Sequence, residues 1–268
     1  MKFLYLFIIF SVLGCSSHIP KIKHQQSTID IDISFINDTL LLFAKNTLHC
    51  PYRIFIIEKT NNDTLEEFII PPLDSIQIRD TTLFPKKTTL KYNTAFGDPD
   101  KTIHKNELAF PFPKNLKYKI LQGYNGSFSH NTSYSRYALD FNLKVGDTIC
   151  AADDGFVVGV IKDYKKGGSS KKWKENDYSN FITIYHPHSG LFTQYVHLKH
   201  QKTFVRVGDH IKKGEAIGLS GMTGFTDSPH LHFNVLIPKK GKTLISTPIN
   251  FENDIKGEHL KKGTSISH

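Results

Sequence analysis

The sequence predicts an all-β protein, with a small β-sandwich over residues 28–104 and a larger β-rich domain over residues 113–250. Three observations lead to this prediction. Apolar and polar residues alternate in the N-terminal part, a Val-Gly-Asp unit recurs in the C-terminal part, and no helical periodicity is found from 113 to 250. The length of 268 residues agrees with one to two domains.

The N-terminus has the pattern of a targeting segment. Residues 3–13 form an apolar run that is too short to span a bilayer as a permanent helix. The run ends in Leu-Gly-Cys-Ser-Ser, which resembles a bacterial lipobox with cleavage before Cys15. We therefore predict a signal peptide over 1–14, a lipidated Cys15 and a tether over 15–27, with an ordinary signal peptide as the alternative. Ser16, rather than Asp, fits anchoring in the outer membrane facing the periplasm, in the cell envelope.

The predicted sandwich begins with a half-buried strand. Its apolar residues occupy every second position: Ile29, Ile31, Ile33 and Phe35. Residues 53–57 predict another strand, and the polar cluster at 59–63 predicts a hairpin turn. An immunoglobulin-like arrangement is one form that this sandwich could take. Proline-containing extended chain at 97–113 predicts the joint to the second domain.

The second domain contains a repeated unit. Val-Gly-Asp-Thr-Ile at 145–149 recurs as Val-Gly-Asp-His-Ile at 207–211, and each copy leads into a Gly-bearing turn and a strand of small residues. The recurrence predicts two related β-motifs that face each other. We assign these units a structural role and no chemistry.

The most informative motif is His230-Leu231-His232, in a segment that reads as a strand. Residues two apart on a strand point the same way, so both imidazoles share one face. Two neutral imidazoles on a rigid face suit a divalent transition metal, of which zinc is the usual one. Two surface histidines on an edge strand are the alternative, but the Gly-rich approach at 218–224 brings backbone close to the pair.

Two other apolar segments each contain one polar side chain that can bind metal or transfer protons. Tyr-Val-His-Leu contains His197, and Tyr-Ala-Leu-Asp-Phe contains Asp140. A buried polar group must be paired or coordinated, or it costs free energy. Three such segments in one domain predict a common site.

The ordered set His130, Asp140, His197, His230 and His232 resembles the lysostaphin-type (LytM-like) zinc metalloendopeptidases, over roughly residues 113–250. The resemblance implies a duplicated hybrid β-motif, one zinc ion and hydrolysis of peptide bonds in bacterial peptidoglycan. It implies zinc ligation by His130, Asp140 and His232. It also implies catalytic roles for His197 and His230, with the division between base and oxyanion stabiliser left open; we take His230 as the base and His197 as the stabiliser.

The first ligand departs from the commonest family pattern. Many members have a histidine four residues before the aspartate, where this chain has Arg136. Arginine cannot ligate zinc, because its guanidinium is permanently charged and has no acceptor. His130 follows a Phe-Ser pair and resembles a family variant, with residues 131–135 as a loop excursion.

Other histidines are expected to be bystanders on the surface. His186 and His188 flank a proline in a predicted hairpin turn, and His200 follows a lysine just past a strand. Two other functions are alternatives to catalysis. One is a non-catalytic relative that binds peptidoglycan or activates another hydrolase, and the other is a carrier module with a similar duplicated fold. The intact set of five residues disfavours the first, and the lack of a modifiable lysine in a tight turn disfavours the second.

Charge and composition complete the prediction. The net charge of +9 is concentrated in the insertion at 165–174, which is either a solvated loop or a groove rim that attracts anionic cell wall, with Trp173 stacking on substrate. No nucleic-acid motif is present, so we expect no nucleic-acid partner. Cys50 and Cys150 are predicted to be buried free thiols, with an interdomain disulfide as the alternative. The polar tail at 251–268 is expected to fray.

Overall fold

The protein is described by a computed structural model that covers residues 29–36, 39–81, 89–104, 106–176 and 178–267. Within these ranges the helical pieces are a four-residue α-helix, α1 (Lys171–Lys174), and a three-residue 3-10 turn, Gly257–His259. The rest is strand, turn and irregular chain, which confirms the predicted all-β class. No helix among these residues is long and apolar enough to cross a membrane. The predicted signal peptide, tether and Cys15 lie outside the described residues.

Six strands form the N-terminal part as two three-stranded antiparallel sheets, ordered β1-β2-β5 and β4-β3-β6. The strands are β1 (Asp30–Ile36), β2 (Thr39–Lys45), β3 (Tyr52–Glu58), β4 (Thr64–Ile70), β5 (Ser75–Asp80) and β6 (Leu90–Phe96). Alternate residues of β2, such as Leu40 and Leu42, share an apolar core with Ile54 and Ile56 of β3. The strands predicted at 29–35 and 53–57 are therefore confirmed, and the immunoglobulin-like arrangement stays a prediction.

The second part is built on a nine-stranded antiparallel sheet with the path β15-β10-β12-β13-β18-β8-β7-β22, with β19 added on β18. A three-stranded sheet, β14-β16-β9, shares its core, because Ile149, Leu198 and Ile217 cluster with Ile182 and Phe233 of the large sheet. The strands are β7 (Lys117–Gln122), β8 (Leu139–Phe141), β9 (Thr148–Cys150), β10 (Gly155–Ile161), β11 (Gly167–Gly168), β12 (Phe181–His186), β13 (Leu191–Val196), β14 (Leu198–Thr203), β15 (His210–Ile211), β16 (Ala216–Ser220), β17 (Gly224–Phe225), β18 (Leu231–Lys239), β19 (Lys242–Ser246), β20 (Asn250–Phe251), β21 (Ile255–Lys256) and β22 (Ser265–Ser267).

The two Val-Gly-Asp units adopt the same turn. Gly146 and Gly208 have φ values of +99° and +96°, in the left-handed region that favours glycine. Asp147 and Asp209 each accept a hydrogen bond from the backbone N–H three residues earlier, at 2.8 and 2.9 Å. Each turn leads into a short strand, β9 or β15. The predicted structural role of the repeat is therefore confirmed.

The predicted joint belongs partly to the second core. Leu108, Phe110 and Phe112 are buried in the same cluster as Phe141, and Phe110 stacks on Phe251 at 4.3 Å between ring centroids. The sequence predicts extended chain here, but the chain bends at Pro111 and Phe112. Because Phe110 and Phe112 are both buried, the core begins before residue 113.

The prediction of a fraying tail is wrong. Strand β22 pairs with β7, and the buried side chains Phe251, Leu260 and Ile266 join the core. The tail is rich in lysine and glycine, but these three apolar residues are spaced so that each reaches the sheet. Tail residues thereby hold the strand that leads into the site.

The sandwich packs directly on the large sheet through a small apolar cluster. Leu48 and Cys50 lie against Phe192 and Leu236, and the buried Arg53 donates a hydrogen bond to the carbonyl of Lys239 at 3.1 Å. These contacts join the two parts of the chain on the side of the sheet formed by the β18–β19 hairpin.

Both described cysteines are free thiols. Cys50 and Cys150 are buried, and burial raises the pKa of each. The predicted free thiols are confirmed, and a disulfide between them is not formed.

Candidate metal centre

The side chains of His130, Asp140 and His232 meet at one point of the large sheet. Asp140 on β8 is paired directly opposite His232 on β18, and His130 reaches them from the loop between β7 and β8. His130 Nε2 lies 3.2 Å from Asp140 Oδ1 and 3.2 Å from His232 Nδ1. His232 Nδ1 lies 2.9 Å from Asp140 Oδ1. His130 and Asp140 are buried and His232 is half-buried, so three potential ligand atoms face one another out of water.

Hydrogen bonding fixes which nitrogen of His130 faces the cluster. Its Nδ1 donates to the carbonyl oxygen of Gly123 at 2.9 Å, because a carbonyl can only accept. In the neutral ring Nε2 therefore carries a lone pair directed at Asp140 and His232. Such an outward N–H to a backbone carbonyl is the usual arrangement for a metal-binding histidine.

The ionisation states also suit a metal. Burial alone would raise the pKa of Asp140, but hydrogen bonds with His130 and His232 outweigh it and hold this pKa well below its ordinary value. Burial lowers the pKa of His232 despite the neighbouring carboxylate. Carboxylate and neutral imidazole are the forms that ligate metal.

The donor set fits zinc. Zinc–nitrogen bonds are about 2.0–2.1 Å, so tetrahedral ligand atoms lie roughly 3.3 Å apart. The observed separations of 2.9–3.2 Å are close to that value. Two nitrogen donors and one oxygen donor are also a typical protein ligand set for a catalytic zinc ion.

Gln122, at the end of β7, orients the carboxylate of Asp140. Its Nε2 donates to Asp140 Oδ2 at 3.1 Å and to Ser129 Oγ at 2.8 Å, while its Oε1 accepts from the backbone N–H of Phe128 at 3.0 Å. One oxygen of Asp140 is thus held by the amide, which leaves Oδ1 directed at the histidines. Sequence reasoning missed Gln122, because a glutamine that ends a polar strand carries no distinguishing signal.

Gly123 is a second residue that sequence reasoning missed. Its carbonyl orients His130, and its Cα packs so closely on the tail that an added Cβ would collide with the carbonyl oxygen of Leu260. The close approach requires glycine here. The tail therefore supports the backbone group that sets the orientation of His130.

His230 and His197 lie beside the cluster in matched orientations. His230 Nδ1 donates to Ser228 O at 2.9 Å, and His197 Nδ1 donates to Thr223 O at 2.7 Å. In each neutral ring the lone pair is therefore on Nε2. His230 Nε2 lies 3.7 Å from Asp140 Oδ1, and the two ring centroids are 4.6 Å apart.

The sequence suggested that His197 lies inside a strand, but it does not. It occupies the break between β13 and β14 with φ +67°, a left-handed conformation that is uncommon for histidine. The buried Asn180 donates to the Leu198 carbonyl at 3.2 Å, and Thr223 Oγ1 donates to it at 2.9 Å. Burial lowers the pKa of His197 well below its ordinary value, and the neighbouring histidines lower it further. His197 is therefore neutral at pH 7.

Residues of the site line two clefts. Asp140 and His230 line a cleft of about 940 Å³, and His197 and His232 line a smaller one of about 230 Å³. The five predicted site residues are thus brought together, and an extended chain could contact them from both sides. Arg136 is exposed and takes no part.

A basic segment is attached to the wall of these clefts. Strand β11 pairs in parallel with β17, whose Phe225 stacks on Phe128 at 4.8 Å between ring centroids. The lysines of the segment are mostly exposed, and Trp173 is half-buried, edge-on to Tyr178. The exposure of these lysines agrees with both predictions for the segment, a solvated loop and a groove rim. Its pairing with β17, whose Phe225 lines the smaller cleft, places the segment beside that cleft. Substrate stacking by Trp173 stays a prediction.

The prediction that His186 is a surface residue is wrong. His186 is fully buried at the end of β12, where its Nδ1 donates to Asp154 O at 2.7 Å and its Nε2 accepts from Thr193 Oγ1 at 2.8 Å. Both nitrogens are satisfied, so it remains a structural residue. His188 is exposed as predicted, whereas His200 lies within β14 and is half-buried.

The donor set is one that could hold a metal ion, and two further histidines lie beside it. Residues 134–245 match peptidase family M23, and the chain contains a domain of this family, homologous to lysostaphin. His130 and the tail lie outside the matched residues.

Among similar proteins, lysostaphin of Staphylococcus staphylolyticus is 32% identical over 116 residues, covering 43% of this chain and 21% of the relative. Peptidoglycan DD-endopeptidase ShyB of Vibrio cholerae is 30% identical over 143 residues, covering 52% of this chain and 30% of the relative. The chain thus spans less than a third of either relative. The solved structure of a zinc containing peptidase from Vibrio cholerae is 21% identical, with a TM-score of 0.39, covering 78% of this chain and 55% of that one.

The first ligand can be tested with two variants. We expect His130→Ala to lower zinc affinity by more than the roughly 10–100-fold that follows loss of a hydrogen-bond partner of a ligand. Arg136→Ala should keep the affinity, because Arg136 is exposed. Titration of the metal-free proteins with zinc measures both. Equal affinity in the two variants would show that another residue is the first ligand.

The role of Gln122 can be tested separately. Gln122→Leu, which keeps the size but removes the amide, should lower zinc affinity about 10–100-fold with little change in overall folding. Gln77→Leu on the exposed face of β5 is the matched control. If the two variants bind zinc equally, Asp140 needs no orientation by Gln122.

Proposed function

We propose that this protein is a zinc-dependent endopeptidase that hydrolyses peptide bonds of bacterial peptidoglycan. The observation that carries the proposal is the buried His130–Asp140–His232 cluster, with His197 and His230 beside it and a cleft on either set of residues. Membership of family M23 supports peptidase chemistry. The name of the relative ShyB, a peptidoglycan DD-endopeptidase, supports the substrate class.

His130, Asp140 and His232 would hold the metal. When bound, zinc supplies Lewis-acid chemistry that activates water and polarises a scissile carbonyl near neutral pH. The chain contributes a rigid donor set whose orientations are fixed by Gly123 O and Gln122. Because these partners are themselves backbone or strand residues, the donors need no rearrangement to act.

His230 is the proposed general base. Its Nε2 lone pair accepts the proton that the attacking water loses, and the same nitrogen then donates that proton to the leaving amine nitrogen. Asp140 Oδ1 at 3.7 Å stabilises the imidazolium that forms between these two transfers. Ser228 O holds the ring in place through Nδ1.

For His197 the hydrogen bonding supports a different role from the predicted oxyanion stabiliser. That role requires a proton on Nε2, whereas the bond from Nδ1 to Thr223 O leaves Nε2 as an acceptor in the neutral ring. We therefore propose that His197 accepts a hydrogen bond from the attacking water and orients it. The low pKa of His197 keeps the ring in this neutral form.

The non-catalytic alternative is less well supported. A binding relative has no need of buried, oriented donors, and burying them unpaired costs free energy. Here all five side chains are present and converge, and two outer residues hold their orientation.

We further propose, from the lipobox-like sequence alone, that Cys15 is lipidated and anchors the protein in the cell envelope, in the outer membrane facing the periplasm. One acyl chain gives marginal membrane binding, and two or more anchor stably. Such an anchor would keep the enzyme close to peptidoglycan.

Catalysis can be tested by incubating the purified protein with peptidoglycan and identifying released fragments by mass spectrometry. We expect release that a chelator abolishes and zinc restores. His230→Ala and His197→Ala should retain zinc but lose about 10²–10⁴-fold in rate, because they transfer or orient protons without holding the metal. His188→Ala, an exposed histidine, is the control. No release by the zinc-loaded protein would reject the proposed function, and wild-type rates in either site variant would reject that residue's role.

Anchoring can be tested by fractionating bacteria that express the full-length chain or its Cys15→Ser variant. The full-length chain should be found in the membrane fraction with an acylated N-terminal cysteine, and the variant should not. The same distribution for both, without an acyl group, would leave an ordinary exported enzyme.

A further inference from the structure

The larger cleft has a positively charged wall that lies outside the residues matched by the family. Its lining includes Asp140 and His230 of the site, and also Lys261 and Lys262 of the tail. The cleft holds about 940 Å³, which is room for several residues of an extended peptide. A substrate that reaches the site along this cleft therefore passes the two lysines.

The backbone that carries these lysines is pinned to the sheet. Gly263 N donates to Ile120 O at 2.8 Å, and Ile120 N donates to Thr264 O at 2.9 Å. Thr264 N closes the turn on Lys261 O at 2.9 Å, and the neighbouring Leu260 is buried. Strand β7 continues from Ile120 to Gln122, which bonds Asp140, so the backbone of the two lysines keeps a fixed position relative to the site.

The two ammonium groups are not committed elsewhere. Among the described residues neither Lys261 nor Lys262 forms an ion pair, whereas Lys212 and Lys213 on another surface pair with carboxylates at 3.0 and 3.2 Å. Of the acidic residues of the cleft, Asp140 is bonded within the cluster and Asp227 accepts from Ser228 Oγ at 2.9 Å. Glu258 is exposed and forms no ion pair with either lysine among the described residues.

We propose that Lys261 and Lys262 form an anion-binding subsite that binds a carboxylate of the substrate, so that the enzyme prefers acidic peptides. This inference rests on the proposed peptidase function and names the substrate chemistry. A lysine ammonium is a flexible point charge, and it can therefore accept a carboxylate on a terminus or on a side chain. Because both groups are exposed, their attraction is weakened by salt.

The test uses muropeptides, the sugar–peptide fragments that muramidase releases from peptidoglycan. The double variant Lys261→Gln/Lys262→Gln should raise KM about three- to tenfold and leave kcat nearly unchanged, the size expected for two exposed pairs. Lys240→Gln/Lys242→Gln, with the same charge change on the exposed β18–β19 hairpin, is the matched control. Lys261→Arg/Lys262→Arg should restore the wild-type KM, because charge rather than shape is required.

Two synthetic stem peptides distinguish the sources of the carboxylate. One is amidated at its C-terminus and the other at its side-chain carboxylate. The carboxylate whose amidation removes the dependence on the lysines is the recognised group. If neither amidation removes the dependence, the lysines bind something other than a carboxylate, and the proposal is overturned.

Binding to the zinc-loaded His230→Ala protein, measured by calorimetry with muropeptides, separates this inference from the proposed function. Lysine-dependent binding without hydrolysis by the wild type would support the subsite and reject the enzyme. Hydrolysis by the wild type with equal KM and equal affinity in the double variant and its control would support the enzyme and overturn the subsite.

Discussion

Three potential ligand atoms are held about 3 Å apart in a buried place, and much of the structure serves to hold them there. His130 Nε2, His232 Nδ1 and Asp140 Oδ1 come from a loop and two strands. A buried carboxylate is unfavourable unless hydrogen bonds or a cation compensate for its lost hydration. The surrounding frame must therefore fix the positions of all three side chains.

Rigidity comes from the central strands of the large sheet. Asp140 and His232 are cross-strand partners on β8 and β18, so their separation is set by the ladder rather than by side-chain flexibility. β7 borders β8 and ends in Gln122-Gly123, which orient Asp140 and His130. β22 in turn covers the outer edge of β7 and leaves less of its backbone unpaired.

The sequence was sufficient for the parts that depend on local pattern. Alternation on a strand predicts that the side chain of His232 shares a face with that of His230, and the impossibility of zinc ligation by Arg136 directs attention to His130. The structure places these residues together, while their roles as ligands stay predictions. The Val-Gly-Asp turns were equally readable, since only their glycines tolerate the required φ.

What could not be predicted depends on long-range contacts. His186 sits in a turn-like sequence, yet Asp154 and Thr193 satisfy both its nitrogens in the core. Nothing local distinguishes it from the exposed His188. The tail could not be predicted for the same reason. Its apolar residues stand among lysines, and the pairing of β22 with β7 is a long-range contact that the local sequence does not reveal.

The tail connects the proposed ligand His130 with the larger cleft. The carbonyl oxygen of Leu260 packs on Gly123, whose own carbonyl orients His130, while the next two residues, Lys261 and Lys262, line the cleft. One short turn, fixed by hydrogen bonds to Ile120, thus lies behind the proposed ligand His130 and beside the cleft that Asp140 and His230 line. The backbone of this turn is fixed relative to the proposed site. Binding of a substrate carboxylate there would therefore help to position the peptide against Asp140 and His230. The segment that the sequence predicts to fray is therefore part of the wall of the cleft beside the proposed site.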